Sequence, residues 1–383
     1  MRNLAQAVPS APMTVALSLV PKARVVTSIR AIGEAAWNAC YAGEIEDYGY
    51  LLAIEEAGIA GFSWRYAVVE AEGQLLAAMP AFLTDYRLDT TLDPGRVRDA
   101  IRAVRRVLPR FLTLKLACLG SPETECGRIG FHPSVAAADR PAVAASLLAA
   151  FEAMAAAEGA SLLGVKDVPD DQRELWDATA PHYSPLPGMA GSTLDIDFTS
   201  IDAYLARLSK ESRKDMRRKL KAAADVRVEY HTDVVAELPR IFELYRATKN
   251  RSDFQFEELT GAYFTGVLRH MPGRAVMAMY YAGDRLIAAN LLLKDEASLL
   301  DKFFCSGDEA RAYNLYFVSW FENLRYCLAH GYRTYRSGQA SYANKRRLKS
   351  RFEPNTMYFR HRRRTINALL KRIAPLLAMG DES

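Results

Sequence analysis

The two halves of this sequence repeat one order of secondary-structure signals. Each half has two apolar runs joined by a short glycine-containing turn, which predicts a β-hairpin. The four runs are Trp64–Ala71, Leu75–Leu83, Ala275–Tyr281 and Leu286–Leu293. The turn glycines, Gly73 and Gly283, are 210 residues apart, and the helix-ending glycines that follow, Gly159 and Gly331, are 172 apart. An insertion within Arg87–Arg128 accounts for the difference, so the pattern predicts two copies of one mixed α/β unit, although two similar hairpins can also arise by chance.

A chain of 383 residues is long for one core, so two domains are expected. The predicted division is a tail at 1–23, a first domain at 24–190, a second domain at 191–364, and a C-terminal helix and tail at 365–383. Each domain is predicted to be a mostly antiparallel central sheet flanked by helices, a mixed α+β class.

The positive charge is concentrated in two segments. Residues 210–221 carry seven Lys or Arg against two acids, and residues 341–372 carry eleven against one. The net charge of the chain is only +5, so the remaining residues are net acidic. Two basic patches of this kind indicate a polyanionic partner such as a phosphorylated cofactor, RNA or anionic lipid, although solvated charged faces are the usual alternative.

The cysteines and apolar segments suggest a cytoplasmic protein. Five cysteines without a CxxC pair indicate neither a disulfide framework nor a zinc site, and a reducing compartment fits. The six histidines show no metal-ligand spacing. No uninterrupted apolar segment reaches the ~18 residues that span a bilayer, so no integral membrane segment is expected. Peripheral membrane contact through the last helix, Ile366–Leu377, is a minor alternative to docking on the body of the protein.

The order of elements resembles the GNAT acyltransferase fold, and the second half resembles its FemAB-like branch, in particular the BioF2-like acetyltransferases. Four segments carry the resemblance: SKESRKDMRRKLKAA (Ser209–Ala223), FELYRATKNRSDFQF (Phe242–Phe256), AMYYAGDRLIAANLLL (Ala278–Leu293) and SGQASYANKRRL (Ser337–Leu348). The resemblance is clear from Thr193 to about Arg360 and weaker over Tyr48–Leu83. One departure is the absence of the glycine-rich turn that holds the coenzyme A pyrophosphate at a helix N-terminus. FemAB-type relatives that use aminoacyl-tRNA share this departure.

The resemblance implies an N-acyltransferase and suggests three catalytic candidates. Lys345 matches the lysine after the last strand of the family, which would stabilise the oxyanion or grip a donor phosphate; otherwise it is a surface lysine. Tyr342 could relay a proton or be an interface tyrosine. Asp301, on a strand that would face the cleft, could deprotonate the amine or form an ion pair.

Five further residues are candidates for binding the donor. Arg213 and Arg217 belong to one basic helical face, and Lys302 adjoins Asp301. Tyr313 and Asn314 open the helix where a phosphate would lie, although Asn314 is favoured as a plain helix cap.

The sequence therefore predicts an enzyme that transfers an acyl group from acyl-CoA or a similar thioester to an amine, without a tightly bound cofactor or metal. One alternative is an aminoacyl-tRNA-dependent transferase of the FemAB type that acts on a peptidoglycan-like or natural-product amine. Its tRNA would bind the basic patches at 210–221 and 345–364. Another is a non-catalytic module that recognises a cell-wall or lipid precursor.

Overall fold

The computed structural model describes residues 21–87, 96–108, 111–251 and 256–377. Its first half contains β1 (Lys22–Val26), α1 (Glu34–Cys40), α2 (Tyr48–Glu56), β2 (Phe62–Ala71), β3 (Gln74–Arg87), α3 (Arg96–Val107), β4 (Thr113–Leu119), β5 (Gly130–Phe131), α4 (Arg140–Ala157), β6 (Leu162–Pro169), α5 (Arg173–Thr179) and β7 (Ser184–Pro187).

The second half contains β8 (Gly191–Asp195), α6 (Ile201–Arg207), α7 (Lys210–Ala222), β9 (Val226–His231), α8 (Leu238–Asn250), α9 (Gly261–His270), β10 (Ala275–Ala282), β11 (Arg285–Lys294), β12 (Ser298–Ser306), α10 (Leu315–His330), β13 (Thr334–Arg336), α11 (Tyr342–Arg347), β14 (Arg351–Glu353), β15 (Asn355–His361) and α12 (Arg364–Leu377).

The two sheets have the same strand order. The first sheet runs β1-β2-β3-β4-β6-β15-β7, with β5 added beside β3, and the second runs β9-β10-β11-β12-β13-β8-β14. Along both paths every neighbouring pair is antiparallel except the one that crosses over through a helix, β4 with β6 and β12 with β13. This matched order confirms the predicted fold class of two mostly antiparallel sheets flanked by helices. We call the first sheet with its helices the first lobe and the second sheet with its helices the second lobe.

The sheets do not divide the chain at one point. The path passes from the first sheet to the second between β7 and β8, but β15 returns to pair with β6 and β7. The predicted end of the second domain at residue 364 therefore does not follow the sheets. Tyr358, within the basic segment 341–372, is buried in the core of the first lobe.

Three boundaries in the second lobe have a local cause. Strand β8 lies at Gly191–Asp195, where it pairs with both β13 and β14. Helix α9 begins at Gly261 after the cap Thr260, whose hydroxyl accepts from Tyr263 N. Helix α10 begins at Leu315, because a short 3-10 helix precedes it.

One apolar core joins the lobes. Helix α2 of the first lobe packs on α9 of the second, and the hydroxyls of Tyr50 and Tyr263 meet at 2.8 Å between them. The helices approach closely because Gly49 has no side chain: a Cβ there would lie 2.5 Å from the carbonyl oxygen of His270. The relative position of the lobes is thus fixed by packing.

Helix α4 meets the length and composition of a membrane span, with a mean hydropathy of 1.2 over 18 residues. Its apolar side packs in the core of the first lobe through Val143, Leu147 and Phe151, which are fully buried. In this structure α4 packs on β1, β2 and β3 of the first sheet.

Candidate active site between the lobes

The second sheet opens where its two parallel strands diverge. Strands β12 and β13 pair only from Ser298 with Thr334 to Leu300 with Arg336, after which β12 continues and the chain turns away at Ser337 and Gly338. A register shift between β11 and β12 at this level leaves Lys302 without a partner on β11. A bulge of this kind re-aims side chains. Here Asp301 faces α10, whereas Lys302 faces the first lobe.

Asp301 is held by two donors. The hydroxyl of Tyr335 donates to its Oδ2 at 2.8 Å and the amide of Asn323 at 3.0 Å. Asn323 is fully buried, and its amide also reaches the Tyr335 hydroxyl at 3.0 Å. Burial raises the pKa of Asp301 to about 6, although the Tyr335 hydrogen bond and the positive charge of Lys345 act in the opposite direction. This carboxyl is therefore ionised at neutral pH but retains the basicity of a proton acceptor.

Lys345 lies beneath the turn that ends β13. Its Nζ donates to the carbonyl oxygens of Ser337 at 2.5 Å and Gly338 at 2.9 Å, and only 3% of the residue is exposed. Burial lowers the pKa of Lys345 to about 8, and the charges of Asp301 and Glu125 oppose this decrease. The alternative of a surface lysine is therefore wrong.

Tyr342 lies one turn before Lys345 on α11, and its hydroxyl donates to Ala190 O at 2.9 Å. That contact joins α11 to the segment between β7 and β8. The contact agrees with the alternative prediction that Tyr342 is a tyrosine at an interface between segments.

A chain of charged contacts connects this opening to the first lobe. Lys302 Nζ lies 2.6 Å from Glu46 Oε1, and the other oxygen of Glu46 accepts from the backbone N of Glu125 at 2.9 Å. The Glu125 carboxylate pairs with Arg336 at 3.0 Å. The backbone O of Glu125 also accepts from Gln339 at 3.2 Å. The loop of the first lobe between β4 and β5 therefore lies against the mouth of the second-lobe opening.

Glu123, in the same loop, is a buried carboxyl whose Oε1 has no hydrogen-bond partner among the described residues. Burial raises the pKa of Glu123 to about 8, and the nearby Glu257 adds to this increase. Lys302 and Lys166 act in the opposite direction. Buried carboxyls with strongly raised pKa values are more frequent at functional sites than elsewhere.

A row of polar side chains crosses the second sheet on the face covered by α10. It consists of one residue from each of four adjacent strands: Tyr280, Asn290, Asp301 and Tyr335. Tyr280 and Asn290 are fully buried. Burial raises the pKa of the Tyr280 hydroxyl and of the Asp301 carboxyl, and hydrogen bonding with the Asn290 side chain opposes both increases. Asn290 therefore connects Tyr280 to Asp301, as expected for buried polar groups, which are normally paired.

The predicted donor-binding residues do not form one group. Arg213 and Arg217 lie on α7, where Arg217 is largely exposed and only 3.9 Å from Asp202. Lys302 is engaged by Glu46. Asn314 occupies the N-cap position of α10, as expected, with a left-handed backbone (φ 53°), but its side chain makes no capping hydrogen bond. Tyr313 precedes it, half-buried, against the core of the second lobe.

Sequence reasoning missed the acidic and amide groups of the site, namely Glu46, Glu123, Glu125, Asn290 and Asn323. The one available signal is the polar loop Gly120–Gly130, which follows a buried strand and contains two glutamates, because functional residues often occupy such loops. In the described part of the chain, no cluster of three or more His, Cys, Asp or Glu could hold a metal ion.

The fold and the position of the opening define a protein with two tandem GNAT-like lobes. Among solved structures, FemX is similar with a TM-score of 0.52 at 14% identity over 81% of this chain and 91% of that one. A tandem GNAT protein from the clavulanic acid biosynthesis pathway is similar with a TM-score of 0.51 at 15% identity, over 89% of this chain and 98% of that one. The C-terminal domain of a putative lysylphosphatidylglycerol synthetase from Agrobacterium fabrum is similar with a TM-score of 0.52 at 12% identity, over 92% of this chain and 98% of that one.

A family model for FemAB-like proteins, described as peptidoglycan biosynthesis/recognition, matches residues 28–373. The chain therefore belongs to the FemAB-like family. A search of curated proteins gave no significant match.

Proposed function

We propose that this protein is an N-acyltransferase that moves an acyl group from an activated donor to an amine. The observation that carries the proposal is Asp301, a buried carboxyl whose pKa of about 6 suits a general base, located where β12 and β13 diverge. The amine nitrogen would attack the donor carbonyl carbon, forming a C–N bond as the C–S bond of a thioester or the C–O bond of an ester breaks. Asp301 would take the amine proton and then give it to the departing thiolate or alkoxide, which would leave as a thiol or hydroxyl.

In this proposal Lys345 holds the turn at Ser337 and Gly338 in place and stabilises the negative charge of the reacting carbonyl oxygen. An ammonium has three N–H donors, and the carbonyls of Ser337 and Gly338 occupy two. In the described part of the chain the third has no hydrogen-bond partner, and it would stabilise the negative charge that develops on the carbonyl oxygen. The Asn290 side chain, which interacts with both Tyr280 and Asp301, would help to hold the Asp301 carboxyl in place.

The first candidate donor is an acyl thioester such as acyl-CoA, bound as a co-substrate. It would enter the opening between β12 and β13. In the segment before α10, the acidic side chains of Asp308 and Glu309 pair with Arg251 and Arg240. This segment therefore differs from the glycine-rich turn that binds the coenzyme A pyrophosphate in other GNAT proteins. A thioester donor would be bound mainly through the part of the molecule that carries the acyl group.

A second candidate donor is aminoacyl-tRNA, which one observation favours. Asp215 of α7 pairs with Arg347 of α11 at 3.0 Å, and also with Arg218 and Lys219. This contact joins parts of the two basic segments into one surface. Arg360, by contrast, pairs with Glu152 in the first lobe, so the expected patch at 345–364 is divided.

Identification of the donor tests the proposal. The purified protein is incubated with a panel of primary amines and either radiolabelled acetyl-CoA or charged tRNA, and amide formation is measured at rising salt. A tRNA donor held by the joined basic surface predicts a steep loss of binding with salt, and a thioester donor predicts a shallow one. A protein that binds a cell-wall or lipid precursor tightly but forms no amide from either donor would contradict the proposal and favour a non-catalytic recognition module.

A further inference from the structure

The exposed apolar side chains of this protein are concentrated in one short segment. Among the described residues, eight large apolar side chains are exposed, and five of them fall within nine consecutive positions. These five are Val104, Val107, Leu108, Phe111 and Leu112, at the end of α3 and before β4. We call them the α3 patch. Single exposed apolar residues are normal on protein surfaces, but a contiguous group marks an interaction site.

The α3 patch is held in a defined conformation. Arg105 donates from Nε to Phe111 O at 2.9 Å and from Nη2 to Leu112 O at 3.4 Å, and the backbone N of Phe111 donates to Leu108 O at 2.9 Å. Leu112 has a φ of 55°, in the left-handed region that bulky residues rarely adopt. A strained backbone persists only where surrounding contacts fix it. These hydrogen bonds connect the backbone of Phe111 and Leu112 to the end of α3.

Positive charge accompanies the patch. The twelve residues of α3, RVRDAIRAVRRV, contain five arginines and one aspartate. Arg106 is exposed beside Val107, whereas Ile101 is buried on the protein side of the helix. A basic helix with exposed aliphatic residues is typical of a segment that lies in the interface of an anionic bilayer.

We propose that the α3 patch docks this protein on the surface of a membrane that contains anionic lipids. RNA would account for the arginines but not for four exposed aliphatic side chains, because bases stack on aromatic groups or guanidinium planes. A second copy of the chain would bring two arginine-rich helices together in a self-complementary contact, and their charges would repel. An anionic bilayer accepts both the charge and the apolar side chains.

The α3 patch and the loop of the candidate site lie at opposite ends of β4. The patch precedes this strand, whose other end leads into the loop that carries Glu123 and Glu125. Seven residues of strand span about 20 Å, so the patch is separated from that loop by about the length of β4. The docking proposal stands independently of the transfer reaction, because it rests on the surface alone.

Co-sedimentation of the full-length protein with vesicles tests the proposal. Vesicles of phosphatidylcholine alone are compared with vesicles in which about one third of the lipid is phosphatidylglycerol, at rising salt. We expect binding to the anionic vesicles and little to the neutral ones. The double variant Val107→Ser/Leu108→Ser should bind at least about tenfold more weakly, because aliphatic surface is lost. Arg106→Glu should lower binding about tenfold or more, because a favourable charge becomes repulsive.

Matched controls separate docking from a general loss of charge or apolar surface. Val235→Ser removes another exposed aliphatic side chain, and Arg333→Glu makes the same change of charge on the second lobe. Both should bind vesicles like the unmodified protein. Equal binding by the double variant, or equal losses in the controls, would overturn the proposal. So would binding of polyuridylate that depends on Arg106 without vesicle binding, or a monomer–dimer shift that the double variant abolishes in the absence of lipid.

Discussion

The Tyr335 hydroxyl donates a 2.8 Å hydrogen bond to Oδ2 of Asp301 across the strands β13 and β12. It stabilises the charged carboxylate, and so it limits the increase in pKa that burial causes. The buried amide of Asn323 meets both groups, which fixes the carboxyl beside the opening of the second sheet. The proposed chemistry depends on this arrangement.

Tyr335→Phe should raise the pKa of Asp301, because it removes the donor but keeps the buried ring. The acidic limb of kcat/KM for amide formation should move to higher pH by roughly half a unit to one unit. A pH profile of transfer measures this directly. Tyr332→Phe, on a half-buried ring outside the site, should leave the limb in place. A limb that moves to lower pH in Tyr335→Phe would contradict the role assigned to the hydroxyl.

Lys345→Met keeps the length of the side chain but removes its charge. Two backbone carbonyls then lose their donor, and the Asp301 carboxylate loses a nearby cation. Transfer should fall by about 10²-fold or more, consistent with loss of an oxyanion donor. The exposed Lys349→Met, in the same segment, should retain activity. Full activity in Lys345→Met with an unchanged circular dichroism spectrum would show that the ammonium is dispensable.

Glu123→Gln should stabilise the protein at neutral pH. The pKa of Glu123 is raised from 4.5 to about 8 in the folded state, so between these values the folded protein holds a proton that the unfolded chain has released. Stability should therefore fall as pH rises through this window, by up to about 1.4 kcal/mol per pH unit from this group. Glutamine removes the effect, so the gain in Tm should be larger at pH 8 than at pH 5.

The neighbouring carboxylate provides the contrast. Glu125→Gln leaves the half-buried Arg336 without this partner and should destabilise the protein by about 1–3 kcal/mol. Thermal unfolding of both variants across the pH range separates the two cases. Equal losses of stability in both would show that Glu123 is paired like Glu125.

Gly49→Ala should weaken the contact between the lobes. The new Cβ would lie 2.5 Å from the backbone oxygen of His270, so α2 and α9 must separate. We expect a cost of about 1–3 kcal/mol, measured by urea unfolding. Gly191→Ala is the matched control, because its Cβ would meet nothing nearer than 3.9 Å. A neutral Gly49→Ala would mean that the helices adjust without cost.

The sequence predicts the local elements of this fold better than their pairing. The hairpins around Gly73 and Gly283 are confirmed, because a turn between two apolar runs is a short-range signal. Strand β15 was missed because Tyr358 and Phe359 lie in a basic run, and the partner strand β6 is about 190 residues earlier in the chain. Pairing over such a separation depends on the assembled sheet and is not encoded by a local pattern.

The candidate site shows the same limit. Asp301 and Lys345 could be named from the strand pattern and the family resemblance, because both are adjacent to elements with clear signals. Glu123 and Glu125 belong to a loop of the other lobe, and their relation to Arg336 appears only when the lobes pack. The roles of the named residues in catalysis remain predictions.

The pH dependence of amide formation by the unmodified protein and by Asp301→Asn tests the central claim most directly. The asparagine keeps an oxygen that can accept from Tyr335 and Asn323, so the fold should be retained. We predict that kcat/KM of the unmodified protein rises with pH with a midpoint near 6, as Asp301 becomes ionised. Asp301→Asn should be slower by about 10²- to 10⁴-fold and should lack this limb, whereas Asp284→Asn, in an exposed turn, should behave normally. An Asp301→Asn variant with the unmodified rate and the same acidic limb would contradict the account.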